Sequence, residues 1–251
     1  VARATDAAGN TGTTSVSFTV STASPSPTTT TSPTPSPSPT PTASPTPAPA
    51  PTTTSSSTAP DTQGSWVSPE GVTITISSTG SWTIRQVYSM LLANARDLSL
   101  IGPSLTVNVQ DTYASQTTAS ASQSGGVYSS YRATIYLKGV SSTFTTKPDA
   151  QLAHEYGHAW TRYYLFMHHN GDWSSYLSTR WSSTDGSVTL ATDSRTGTSY
   201  SWDPAEIIAD DYRLLFGSSA AISESPGSLN TTIVAPSAQT GLSSWFLNSW
   251  A

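Results

Sequence analysis

The sequence predicts an α+β domain over residues 64–251, behind a spacer without regular secondary structure. Short segments in which every second residue is apolar, typical of strands, occur beside longer segments with apolar residues three and four apart, typical of helices. All eight tryptophans and all four histidines lie after Gly64. Every residue from 21 to 60 is Ser, Thr, Pro or Ala, so this stretch has almost nothing apolar to bury in a core.

The first twenty residues are predicted to be the end of a β domain. "AAGNTG" supplies turn residues, and "SVSFTV" places Val16, Phe18 and Val20 on one face of a strand. The stretch "ATDAAGNTGTTSVSFTV" resembles the last strands of bacterial immunoglobulin-like repeats, which implies a C-terminal fragment of such a domain at residues 1–20. Because the chain opens without Met, we expect it to be the C-terminal part of a longer protein, associated with a cell wall or surface through upstream modules.

Residues 21–63 are expected to form a disordered Ser/Thr/Pro/Ala linker. Twelve of the eighteen prolines lie there, and residues 21–60 carry no charge. Since proline has no N–H to donate, the segment should be an extended, partly polyproline-II spacer. Its Ser and Thr side chains are candidate O-glycosylation sites in an exported protein.

Composition narrows the class of protein. The formal net charge is −5 and only 10% of residues are charged, so there is no basic patch to bind nucleic acid. No apolar run approaches the roughly 20 residues needed to span a bilayer, and the absence of cysteine excludes disulfides. Few charges, many aromatic and hydroxyl side chains and a Pro-rich linker together favour a monomeric protein that is secreted or held on a bacterial cell surface.

The folded domain is predicted to open with strands around a helix. The alternating apolar residues are Val72, Ile74 and Ile76 in "GVTITIS", and Leu105, Val107 and Val109 in "SLTVNVQ". Between them lies a helix with Ser81 or Thr83 as its cap. Its apolar positions are Ile84, Val87, Leu91 and Leu92. Residues 111–126, rich in Ser, Gln and Thr, are expected to form a loop, and "YRATIYLKG" a third strand over about residues 132–138.

Four helices are predicted to complete the domain. Pro148 favours the first turn of a long helix that reaches about Met167. A short helix should begin near Asp172. The segment "DPAEIIADDYRLLFG" predicts a helix capped by Asp203 and ended by Gly217, and "GLSSWFLNSW" predicts a terminal helix that docks on the core.

The stretch "QLAHEYGHAW", residues 151–160, places His154 and His158 one turn apart on the long helix, with Glu155 beside the first. Two imidazoles at this spacing can bind one metal ion, and the adjacent carboxylate can reach a water on it. At 100° per residue both histidines face away from the apolar stripe. That stripe consists of Leu152, Tyr156, Ala159, Trp160, Tyr163 and Met167. Gly157, between the two histidines, permits close approach by another backbone. The alternative to a metal site is a solvated or hydrogen-bonded histidine pair.

A catalytic zinc site needs a third protein ligand. The pattern HExxHxxGxxH is absent, because Thr161 and Tyr164 stand where its Gly and third His would be, and this excludes a metzincin. His168 and His169 are candidates, but they lie at or beyond the end of the same helix, where reaching back to the same ion is awkward.

"EIIADD" offers a better candidate, since Glu206 and Asp210 share one face of a second helix. Glu206 can supply the third ligand, and Asp210 can accept the outer N–H of a zinc-bound histidine. The alternative is that Glu206, at the third position after the Asp203 cap, serves only helix capping and the helix dipole. That alternative gives no role to Asp210.

"HEYGH" followed by "EIIAD" resembles the gluzincin branch of the zincin metallopeptidases, the thermolysin-like plan, over about residues 66–217. The resemblance implies a compact zincin-like domain of a backing helix, a small mixed sheet with an edge strand, an HExxH helix and a glutamate helix. It implies zinc bound by His154, His158 and Glu206, with Asp210 behind a histidine and Glu155 as the base. It also implies that "ATIYLKG" is the strand along which a peptide lies.

Two features depart from that family pattern. Glu206 follows His158 by 48 positions, a longer gap than in thermolysin, with an insertion that contains "HHNGDW". A downstream histidine that acts as electrophile is absent. Tyr200 is a candidate to donate a hydrogen bond to the oxyanion, with His168 and His169 as alternatives, although each is also explained as an ordinary loop or surface residue.

The sequence therefore predicts a zinc metalloendopeptidase that acts on peptides or proteins, with Glu155 taking a proton from the attacking water and passing it to the leaving amine. The eight tryptophans suggest a different class, a glycan- or cell-wall-binding module with a structural metal. A non-catalytic, adhesive zincin is a third possibility. Against the glycan-binding module, Trp66, Trp82, Trp160 and Trp202 are more simply core or cleft-wall residues, and nothing repeats as in a lectin. Glu155 argues against the adhesive zincin, because a site that only holds zinc has no use for that carboxylate.

Overall fold

The computed structural model describes residues 2–5, 11–14, 58–181 and 200–248, in two units divided between residues 51 and 52. In the first unit, β1 (Ala2–Thr5) and β2 (Thr11–Thr14) form an antiparallel pair. The alternating segment with Val16, Phe18 and Val20 lies outside the described residues, as does most of the linker. The immunoglobulin-like origin of residues 1–20 therefore stays a prediction.

The second unit contains a five-stranded mixed sheet, which confirms the predicted α+β class. Its strands are β3 (Gly64–Val67), β4 (Thr73–Ile76), β5 (Leu105–Gln110), β6 (Gln116–Ser124) and β7 (Val127–Lys138). Their spatial order is β3-β4-β5-β7-β6. The three inner strands run parallel, whereas β3 and β6 pair antiparallel at the two edges.

The prediction that residues 111–126 form a loop is wrong, because β6 occupies 116–124. It pairs with β7 across a two-residue turn, Gly125 and Gly126, which have φ of 60° and 82°. Two successive positive φ values are what a tight hairpin turn needs and what glycine adopts most readily. The segment "ATIYLKG" therefore belongs to β7, which is an inner strand of the sheet. The edge strand beside it is β6.

Helices cover the sheet and form the rest of the domain. They are α1 (Ile84–Asn94), α2 (Leu98–Ile101), α3 (Ser142–Thr146), α4 (Pro148–His169), α5 (Ser174–Trp181), α6 (Pro204–Phe216), α7 (Ser219–Glu224) and α8 (Leu242–Asn248). Thr83, rather than Ser81, caps α1, in a reciprocal capping box with Gln86. Leu92, predicted on its apolar face, is instead 50% exposed.

Asp203 caps α6 and Gly217 ends it, as predicted. The long predicted helix is α4, which packs against α1, α6, β6 and β7. Trp160 on α4 is fully buried. Its ring contacts those of Tyr164, Tyr212, Phe216 and Phe246. This aromatic cluster fixes the apolar side of α4.

The last residues of the predicted linker contact the domain. The carbonyls of Pro60 and Thr62 accept hydrogen bonds from the N–H groups of Arg85 and Ile84, at the start of α1. Helix N–H groups in the first turn have no partner within the helix, so these contacts satisfy two of them. Within the described residues, no helix combines the length and hydropathy that crossing a bilayer requires.

A buried ion pair joins α5 to α6. Arg180 Nε lies 2.8 Å from Asp211 Oδ2, and both side chains are fully buried. Tyr176 donates to the same carboxylate oxygen. Burial raises the pKa of Asp211 to about 7, against the opposing effect of the Arg180 guanidinium.

We expect Arg180→Met to lower the free energy of unfolding by about 3–5 kcal/mol, because it leaves the Asp211 carboxylate buried without its cation. Urea unfolding at about pH 8, where that carboxylate is ionised, measures this loss. The control is Arg85→Met, which breaks the exposed pair with Asp61 and should cost less than about 1 kcal/mol. Equal losses in the two variants would contradict the structural role of the buried pair.

Candidate metal centre

The two helices that carry the predicted ligands cross where only a glycine fits. A Cβ atom added to Gly157 on α4 would lie 2.6 Å from the carbonyl oxygen of Ala209 on α6 and 3.0 Å from its Cα. Distances this short are clashes with backbone. The predicted close approach at Gly157 is confirmed, and it brings Glu206, one turn before Ala209, beside the histidines of α4.

His154, His158 and Glu206 converge on one point. Oε2 of Glu206 lies 3.1 Å from Nε2 of His154 and 3.3 Å from Nε2 of His158. One ligand atom from each residue lies within 4.8 Å of the other two. The structure thus brings together all three residues that the sequence nominated, although His154 and His158 belong to different turns of α4 and Glu206 to another helix.

His154 and His158 lie on the face of α4 that packs against α6, away from the apolar stripe, as predicted. The alternative that they form a solvated pair is wrong. His154 is 9% exposed and His158 is 4% exposed, because α6 packs over that face. A buried imidazole needs a partner for its polar atoms. Here the shared partner is the carboxylate of Glu206.

Two of the three separations between ligand atoms suit a tetrahedral metal ion, and all three atoms lie within 4.8 Å of one another. Zinc–nitrogen and zinc–oxygen bonds of about 2.0–2.1 Å place neighbouring ligand atoms about 3.3 Å apart in a tetrahedron. The two nitrogen–oxygen separations in this site are close to that value. Two imidazoles and one carboxylate are also a donor set that zinc accepts while keeping a fourth position open.

The electrostatics of the site favour a cation. Burial lowers the pKa of His154, but its contact with Glu206 and the nearby carboxylates of Glu155 and Asp210 outweigh burial, and the net shift is upward. Burial raises the pKa of Glu206, yet the two histidines and Tyr200 hold it well below its usual range. Glu206 is therefore a carboxylate, surrounded by groups that stabilise its charge.

The capping alternative for Glu206 does not describe its contacts. In a capping box its side chain would accept from the N–H of Asp203. That N–H instead donates to the carbonyl of Tyr200, and the Asp203 side chain accepts from the N–H of Ala205. The helix start is satisfied without the Glu206 side chain, which leaves that carboxylate to the two histidines.

Glu155 is held in place from two sides. Its Oε1 accepts from the side-chain amide of Gln151 at 2.9 Å, and its Oε2 accepts from the Thr117 hydroxyl at 2.8 Å. Gln151 lies one turn earlier on α4, and Thr117 lies on the edge strand β6. The residue is 4% exposed and lines a cleft together with His158. Sequence analysis gave neither Gln151 nor Thr117 a role.

Asp210 supports the site differently from what was predicted. Its Oδ1 lies 4.0 Å from Nδ1 of His154, which is longer than a hydrogen bond. The same oxygen accepts two hydrogen bonds from Arg213, and Oδ2 accepts from the N–H of Leu229. Arg213 also donates to the carbonyls of Ala221, Ser225 and Gly227. Asp210 thus places a neutralised carboxylate beside His154.

The candidate oxyanion donors are not equivalent. The hydroxyl of Tyr200 lies 3.4 Å from Nε2 of His154. The residue as a whole is 59% exposed, but partial desolvation of the hydroxyl and its contact with Glu206 raise its pKa, so it keeps its proton at neutral pH. The ring of His168 packs near Tyr164, and that of His169 lies near Trp245. Tyr200 lines the cleft, and among the described residues neither histidine is part of the metal-binding group.

The cleft has a volume of about 940 Å³ and runs along the site. Its walls come from β6, from the outward face of α4, from residues 170–173 and from residues 203–206. The insertion "HHNGDW" thus contributes a wall, through Asn170, Gly171, Asp172 and Trp173. The edge strand and two of the candidate ligands, His158 and Glu206, line one concave surface, and His154 contacts Glu206 behind it.

Comparisons of the chain with protein-family models, with curated proteins and with solved structures give no match. The zincin resemblance therefore depends on the quoted motifs and on the geometry of the site.

Gly157→Ala should push α6 away from α4, because the new methyl group meets the backbone of Ala209. We expect about 1–3 kcal/mol of lost stability and weaker zinc binding, measured by thermal unfolding with and without zinc. Gly227→Ala is the matched control, since a Cβ there meets nothing within 4 Å. A Gly157→Ala protein that is as stable as the control would contradict the close crossing.

The full chain should bind one zinc ion, and Glu206→Gln should weaken that binding by more than about 100-fold, since it removes a ligand charge. Metal content after dialysis and competition with a chelator measure this. Asp203→Asn, a change in the same cleft that keeps a good helix cap, should leave zinc retention unchanged. Undiminished retention in the Glu206 variant would contradict its assignment as a ligand.

Proposed function

We propose that residues 64–251 form a zinc-dependent peptidase of the gluzincin type, with His154, His158 and Glu206 as the zinc ligands. The observation that carries this proposal is the convergence of these three side chains beside Glu155, in a cleft bounded by a strand edge. Zinc held there would supply a Lewis acid that makes a water acidic and polarises a carbonyl group.

Glu155 is the proposed general base. It lines the cleft together with His158 and Glu206, where a carboxylate can remove a proton from a water bound beside the ligands. Gln151 and Thr117 restrict its rotation, so little conformational freedom is lost when it acts. After taking the proton, the same carboxyl group can return it to the leaving amine.

The edge strand β6 is the proposed platform for the substrate backbone. Its inner side pairs with β7, and among the described strands nothing pairs with its outer side, which borders the cleft through residues 116–119. An extended peptide can add to such an edge through backbone hydrogen bonds. The family resemblance had implied that the peptide lies along "ATIYLKG", which belongs to β7, and β6 takes that role here.

Tyr200 is the proposed donor to the oxyanion that forms when the carbonyl is attacked. Tyr200 lines the cleft with Glu206, and its protonated hydroxyl lies 3.4 Å from Nε2 of His154. A donor fixed near developing negative charge stabilises the transition state more than the bound substrate. We further propose that the protein acts outside the cell or on a bacterial surface, as a monomer, on peptides or proteins.

Glu155→Gln should abolish peptide cleavage while leaving zinc bound, with a fall in kcat of about 10²–10⁴-fold, because the amide cannot take a proton. Cleavage of casein and of a peptide library, alongside zinc content, measures both properties. The matched comparison is Glu206→Gln, which should lose zinc as well as activity. If the zinc-loaded protein cleaves no peptide but binds glycans, an adhesive role replaces the peptidase proposal.

A further inference from the structure

The cleft contains a guanidinium close to the proposed metal ligands. His158, Arg162 and Phe166 follow one another at four-residue intervals on α4, and all three line the cleft. Each interval advances about 6 Å along a helix. Arg162 therefore lies one turn from His158, between it and an aromatic shelf that we define as Tyr128, Phe166 and Trp173. The rings of Tyr128 and Phe166 are in contact, with centroids 4.8 Å apart.

Arg162 uses few of its five N–H donors within the described residues. Its Nη1 donates to the carbonyl of Thr117 on β6, at 3.5 Å, and no carboxylate of the described residues lies within ion-pair distance. Three other arginines of the domain have such partners: Arg85 with Asp61, Arg180 with Asp211, and Arg213 with Asp210. A partly buried guanidinium without an anion is costly unless a ligand supplies one.

The carboxylates that line the cleft are engaged elsewhere. Asp172 accepts from the N–H and hydroxyl of Ser174, at the start of α5. Asp203 caps α6, Glu206 contacts the two histidines, and Glu155 accepts from two neutral donors. None of these four groups neutralises Arg162, so among the described residues it has no counter-charge, and an anion bound in the cleft would supply one.

Since no carboxylate of the described residues pairs with Arg162, we propose that it binds the carboxylate of an Asp or Glu side chain of the substrate, within about two residues of the cleaved bond. About 6 Å along the helix corresponds to about two residues of extended chain. A guanidinium and a carboxylate form paired, charge-assisted hydrogen bonds that a neutral side chain cannot reproduce. The aromatic shelf then takes an apolar side chain further along the same peptide. This inference rests on the proposed peptidase function and specifies its substrate class.

The test uses the full-length, zinc-loaded protein and peptide pairs that differ only by Glu or Gln at each position near the cleaved bond. Wild type should cleave the Glu peptide with a kcat/KM about tenfold or more above that of the Gln peptide at one position. Arg162→Gln should remove this preference by lowering the rate on the Glu peptide alone, and Arg162→Glu should prefer Lys there. Arg132→Gln is the control, because Arg132 is exposed on β7 and lines a different cavity.

Two results would overturn the inference while leaving the peptidase proposal intact. One is cleavage by wild type without an acidic preference at any position. The other is an Arg162→Gln variant that loses rate equally on both peptides, which would show that Arg162 holds the substrate backbone. If the zinc-loaded wild type cleaves no peptide, the peptidase function and the inference fail together. Zinc content and thermal unfolding of Arg162→Lys and Arg162→Gln identify any loss due to misfolding.

Discussion

The site depends on the contact between the backbones of α4 and α6 at Gly157 and Ala209. Each of these small residues lies between two functional side chains of its own helix: Gly157 precedes His158 and follows His154, and Ala209 lies between Glu206 and Asp210. Because the helices touch at this point, the Glu206 side chain reaches both imidazoles at once. A larger residue at the crossing would separate them by more than a side-chain torsion can recover.

Fixed charges outside the ligand set hold that crossing in place. Arg213 binds Asp210 and three backbone carbonyls of the segment after α6, so this helix and the chain that follows it form one rigid support. The next residue of α6, Asp211, pairs with Arg180 of α5. Adjacent acidic residues of α6 thus serve different neighbours. Partners of this kind keep ligands oriented, and their loss affects metal binding as well as folding.

Sequence analysis predicted the elements whose signals are local. Helix α6 has its cap, Asp203, and its end, Gly217, where the pattern placed them, and the HExxH spacing identified the correct face of α4. Strand β6 was missed because its Ser, Thr, Ala and Gln residues provide no contrast between apolar and polar faces, and with it was lost the role of Thr117. The burial of the histidines also escaped prediction, since a helical wheel describes one helix and not its partner.

The charge balance around Glu155 favours a catalytic site over a structural one. Arg213 neutralises Asp210, but Glu155 and Glu206 are two buried or half-buried carboxylates with no Arg or Lys partner among the described residues. Burying two such groups close together is unfavourable unless a cation offsets them, and a divalent ion held by the histidines and Glu206 would do so. A structural site of three ligands would gain nothing from the second carboxylate. The position of this carboxylate beside the cleft, held by Gln151 and Thr117, agrees with the proposed proton transfer to and from a substrate.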